Sequence, residues 1–185
     1  MRYLGTLLLC GSLIGCGRGA GESPKLRLER ATARLAAADS PELRFLALGD
    51  AAKECFVAGK LADARKYAHE LMTLLPDFRQ HHFFPIAWHD ANMILGRVAV
   101  RDGHLDEAKR YLIEAGQTPG SPQLMNYGPN MSLAKDLLEK GERQAVLDYF
   151  ELCRKFWVNQ DGQLDQWSQQ VKEGKMPNFG SNLTL

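Results

Sequence analysis

No run of the sequence stays apolar for the roughly 20 residues that a membrane-spanning helix needs. The N-terminal candidate, Leu4 to Gly15, is too short. No segment alternates β-branched with polar residues, and there is no Asn-Gly hairpin turn, which leaves nothing to build a sheet from. A one-sided charge is missing as well: 23 Lys and Arg stand against 22 Asp and Glu, so no global field pulls the chain toward nucleic acid. The motifs G-x-S-x-G, H-E-x-x-H and the phosphate-cradling glycine loop are absent, and with them the common signatures of hydrolases and nucleotide enzymes. What remains is 45% hydrophobic and 24% charged, an ordinary globular balance at a length that suits one domain.

The short apolar run does have a use. Arg2 precedes it, and it has the length of the hydrophobic part of a signal peptide. It closes on Leu13-Ile14-Gly15-Cys16, which resembles the bacterial lipobox. That resemblance implies a signal peptide over 1–15, cleavage before Cys16, and acylation of Cys16 at its thiol and new amino group. Several acyl chains anchor stably, since each buried CH₂ contributes roughly 0.8 kcal/mol. The lipid bilayer is then one partner, and the cell envelope the location. By the same resemblance, Gly17 in place of Asp points to the outer membrane, with the domain facing the periplasm. Removing residues 1–15 takes away Arg2 alone, so the charges stay balanced. Residues 16–23, the lipidated cysteine and a small polar tether, span roughly 15 Å as a flexible coil.

From Pro24 on, helix signals dominate and the class is all-α. Ser23-Pro24 and Ser40-Pro41 each offer a capping hydroxyl followed by a proline preset for the first helical turn. Leu61, Ala64, Ala68, Leu71 and Leu75 recur at helical spacing before Pro76. Three segments echo one another. GKLADARKYA from Gly59 and GHLDEAKRYL from Gly103 share Leu, Ala and Tyr at matching places, and GERQAVLDYF from Gly141 keeps the tyrosine. A small residue, Ala52, Gly96 or Ala134, lies seven positions before each glycine.

This pattern resembles the tetratricopeptide repeat, a helix–turn–helix of about 34 residues. The resemblance implies a stack of about three antiparallel helix pairs, with capping helices at Lys25–Ala38 and within Gly162–Gly174. In such a unit the small residue lets the second helix approach, the glycine makes the turn and the alanine packs inward. The glycines at 59, 103 and 141 are further apart than the family period. Insertions are therefore expected around 77–89 and 117–129. The helical domain is expected over 24–175, with an irregular tail over 176–185. In this register Cys55 and Cys153 fall in different units, on helices stacked about 9 Å apart. They are expected unpaired and buried.

The residue after each small residue faces the recessed side in that family. Here it is Lys53, Arg97 and Lys135, and Arg101 lies one turn beyond Arg97. This cationic row suits an acidic peptide or protein partner. The expected role is a membrane-anchored protein–protein interaction scaffold, not an enzyme, with no cofactor and no nucleic acid. The alternative is a small-ligand or metal-binding accessory protein using His81, His82, His89 and Asp90. No metal site is expected, because that spacing matches no standard ligand pattern and Pro85 interrupts any helix among them; Phe83, Phe84 and Trp88 are expected to pack inward. In the second insertion, turns are expected, with Met125 and Tyr127 packing back and Asn130 capping the next helix.

Overall fold

A computed structural model describes residues 22–183. The leader 1–15, Cys16 and most of the tether lie outside the described residues. Nine α-helices and no strand occur among the described residues.

The first two helices start as the Ser-Pro pairs predict. α1 (Pro24–Ala36) begins where Ser23 Oγ accepts from Leu26 N at 3.3 Å, and α2 (Pro41–Val57) where Ser40 Oγ accepts from Leu43 N at 3.2 Å. Each hydroxyl satisfies an N–H that has no partner inside the helix. The remaining helices are α3 (Leu61–Leu74), α4 (Phe84–Asp102), α5 (Leu105–Gly116), α6 (Pro122–Tyr127), α7 (Ser132–Glu139), α8 (Arg143–Cys153) and α9 (Gln163–Lys172).

Three of the joints are the same turn. Gly59, Gly103 and Gly141 have φ of +74°, +82° and +83°. In each, the following N–H bonds to the carbonyl five residues back: Lys60 to Cys55, His104 to Ala99, Glu142 to Leu137. This closes the helix C-terminus in a left-handed conformation that glycine adopts without strain. A Cβ on any of the three would meet nothing within 4 Å, so backbone angle and not space selects the residue. Turns this short return the chain antiparallel, giving the hairpins α2–α3, α4–α5 and α7–α8.

The hairpins stack on one another. α4 packs against α2 and α3 on one side and α7 on the other, and α5 packs on α8. α1 covers α2, and α9 covers α8. Alanines 51, 52, 64, 68, 91, 108, 115 and 134 are fully buried, which lets the helices approach closely. One cluster, around Phe45, Leu48 and Leu71, closes the N-terminal end, and a larger one runs from Ala52 to Phe179. Leu164, Trp167 and Val171 are buried on one face of α9.

Two connections depart from the expected insertions. A 3-10 turn, Leu75–Phe78, carries α3 toward α4, and α4 begins already at Phe84. Pro85 sits in its first turn, where a missing N–H costs nothing, so it starts a helix rather than interrupting one. The second connection holds α6, whose Ser121 Oγ accepts from Leu124 N at 3.2 Å. Asn130 Oδ1 accepts from Ser132 N at 2.8 Å, one residue ahead of the cap position of α7.

Residues 176–183 have little regular structure but are packed. Phe179 is buried edge-on against Trp167, with centroids 4.9 Å apart. Asn182 Nδ2 donates to Tyr127 O and Pro129 O, each at 3.0 Å, while Met131 N donates to Asn182 O at 2.7 Å.

Candidate functional site

α2 buries one side and leaves another recessed. Along that side run Leu46, Gly49, Asp50, Lys53 and Val57, at spacings of three and four that place them in one row. α4 offers a matching row of Ile86, Asp90, Ile94 and Arg97. α1 closes the face from one end: Arg27 Nε reaches both Glu54 carboxylate oxygens at 3.2 Å, and Arg34 meets Asp50 at 3.3 Å. α6 closes it from the other, through Gln123 and Tyr127.

Three cavities lie along this face, and Lys53 lines all three. The largest, about 780 Å³, is walled by Arg27, Arg30, Arg34, Lys53 and Arg97 with the carboxylates Asp50 and Glu54. A second, about 240 Å³, is floored by apolar side chains of α2, α3 and α4. The third, about 330 Å³, lies between α4 and the α6 connection.

Of the four cations expected to form a row, the structure brings Lys53 and Arg97 to one cavity. Lys53 has no carboxylate within 4 Å among the described residues. Arg97 is only 14% exposed, donates to Asp136 at 2.7 Å and lies over the Phe56 ring at 4.5 Å. It serves as a clamp joining α2, α4 and α7 as well as a wall. Arg101 stacks more distantly on the same ring, at 5.9 Å, and does not line the cavity. Lys135 pairs with Glu139 on its own helix. α4 stands between α7 and α2, which keeps Lys135 away from Lys53.

The arginines of α1 line the largest cavity and were not among the residues picked out from the sequence. Arg27, Arg30 and Arg34 follow a three-and-four spacing that marks one helical face, so the signal was available in a segment read only as a cap.

The histidines do not assemble a site. His81 and His82 stack on each other, with ring centroids 4.5 Å apart, ahead of α4. His89 lies inside α4 and not in a loop, with its ring 1% exposed. One nitrogen meets Asp90 and the other the Tyr149 hydroxyl, both at 3.1 Å, and that hydroxyl donates to Asn130 O at 3.2 Å. Burial pushes the Tyr149 phenol well above its usual range, which suits a structural tie between α4, α8 and the α6 connection. No three metal-ligating side chains come together among the described residues.

Three aromatic or apolar side chains lie elsewhere than expected. Phe83 does not pack inward; it precedes the first turn of α4 and is 43% exposed. Tyr127 is 76% exposed and Met125 38%, so neither packs back on the helices. Leu124 takes the inward position of α6 instead.

Comparison with protein-family models, with curated proteins and with solved structures found no match.

Proposed function

We propose that the chain is a protein- or peptide-binding scaffold of the bacterial cell envelope, held at the membrane through acyl chains on Cys16. In this reading the three hairpins are tetratricopeptide-like units, α1 and α9 are their caps, and the partner lies along the recessed face. The repeated glycine turn and the small residues at the helix crossings support the repeat. The lipobox-like Leu13–Cys16 supports the anchor.

One observation carries the binding role. A single face built from α1, α2, α4 and α6 presents three adjoining cavities that meet at Lys53. Recessed surfaces lined by both apolar and convergent polar groups are where ligands bind. Rigid helices also hold such a surface open without help from the partner.

The test places a photo-crosslinking amino acid at position 57, which is exposed beside the largest cavity, in the living envelope, with position 135 as the control. Irradiation is expected to give a discrete protein adduct from position 57 and none from position 135. No adduct at 57, or equal adducts at both, overturns the reading.

A further inference from the structure

The cavities at Lys53 also constrain what the partner must look like. The apolar one is floored by Phe45, Leu46, Leu71, Phe83 and Ile86, with Gly49 in its α2 wall. Glycine within a helix is disfavoured, so Gly49 needs a reason. Packing does not give one: a Cβ there would meet only Leu71 Cδ2, at the ordinary contact distance of 3.8 Å. Its φ lies outside the left-handed region, so the backbone gives none either. What the missing side chain leaves is room in the cavity wall. At about 240 Å³ it is smaller than the roughly 300 Å³ at which small-molecule pockets begin, and it suits a single large side chain.

The adjoining cavity has the opposite character. Five cationic side chains face two carboxylates. Each arginine is already paired: Arg27 with Glu54, Arg30 with Glu22, Arg34 with Asp50, Arg97 with Asp136. Among the described residues Lys53 alone of the five forms no ion pair, and Arg30 and Arg34 are more than half exposed. An incoming carboxylate therefore meets an ammonium group outside any salt bridge, flanked by accessible guanidinium groups. On the α6 side Gln123 lines the apolar and the third cavity, offering an amide to a backbone seated there.

We infer that the face takes an extended peptide segment that seats one large apolar side chain beside Gly49 and sets a carboxylate over Lys53 and the α1 arginines. The spacing follows from α2. Gly49 lines the apolar cavity and Lys53 reaches the cationic one. These two positions are about 6 Å apart along the helix, which an extended chain covers in about two residues. The inference rests on the scaffold reading and adds the partner's chemistry to it.

The test selects a random-sequence peptide library, displayed on phage, against the full chain held in detergent micelles. Enriched peptides are expected to share a large apolar residue with an Asp or Glu about two positions away. A synthetic consensus peptide is then measured on Gly49→Leu, which fills the apolar cavity, and on Lys53→Glu, which reverses the charge. Each is expected to weaken binding by about tenfold or more. Circular dichroism checks that the variants fold, and Lys53→Met replaces Lys53→Glu if the latter does not. Peptides lacking the pair, peptides that bind both variants as well as the parent, or no enrichment overturn the inference. So does a fatty acid that displaces the peptide from the apolar cavity at lower concentration. A chain dimer dissolved by both variants would assign the face to a second copy and overturn it equally. The crosslink at position 57 reads engagement whatever the partner's sequence. Adducts without the peptide pattern would therefore remove this inference and leave the scaffold standing.

Discussion

At Gly96 one hydrogen stands where any other residue would carry a carbon. A Cβ there would lie 2.2 Å from Leu133 Cδ2 and 3.1 Å from Tyr111 Cβ, so α4 touches α5 and α7 at the same point. Gly96→Ala is expected to cost about 1–3 kcal/mol in urea unfolding, the usual range for overpacking. In a Leu133→Ala background the same substitution should cost less, because one of the two contacts is then gone. A loss below about 0.5 kcal/mol would mean that the crossing widens freely. The contrast with Gly49 is instructive: both glycines lie within helices, but only one is held by its neighbours. The small residue at 96 was legible from its place before Gly103. The contact with Leu133 was not, because local spacing carries no distance to a helix of another hairpin. The cysteines were easier. Cys55 and Cys153 are free and buried, and burial pushes both thiols up, which leaves them as small apolar side chains.

Between elements, the α2–α3 hairpin is tied by Arg44 and Glu70, whose guanidinium and carboxylate meet in two hydrogen bonds. The bond from Arg44 is the main reason that the Glu70 carboxyl lies below the usual range. A lowered carboxyl favours the folded state above its unfolded value of about 4.3 and loses that contribution as pH falls through the folded value. Both side chains are partly exposed, so the contribution is about 1 kcal/mol or less. Glu70→Gln is expected to be slightly less stable than the parent at pH 7, with the difference closing below about pH 4. Urea unfolding at the two pH values checks this, and a gap that persists in acid would assign the effect to packing. Element boundaries were legible where two signals coincided, as at Ser23-Pro24 and Ser40-Pro41. The same pair recurs at Ser121-Pro122 and starts α6. Six residues are too few to display a helical period, so the spacing there predicts turns.

For the molecule as a whole, the all-α class followed from the absence of any alternating segment together with capped, periodic ones. The recessed face was only half legible. Lys53 came from its register beside Ala52, whereas the arginines of α1 reach it because that helix folds back across α2. That placement depends on tertiary packing and not on local pattern. The anchor belongs to this scale too. Cys16→Ala is expected to release the chain from the membrane fraction, since neither thioether nor amide-linked acyl chains can then be added. Continued pelleting with membranes after an alkaline wash would refute the lipid attachment. No described helix is long and apolar enough to cross a bilayer and supply an alternative hold.

The strap around Asn182 has a temporal consequence. Its bonds to Tyr127 and Pro129 link residues 55 and 53 positions apart, whereas Arg27 and Glu54 are separated by only 27. A chain made from its N-terminus completes the α1–α2 wall early and fixes the α6 wall only when residue 182 has been added. In the proposed scaffold reading the binding face is thus completed only after the helices behind it have been made, so that premature capture of a partner by a half-made chain is disfavoured by the order of synthesis alone.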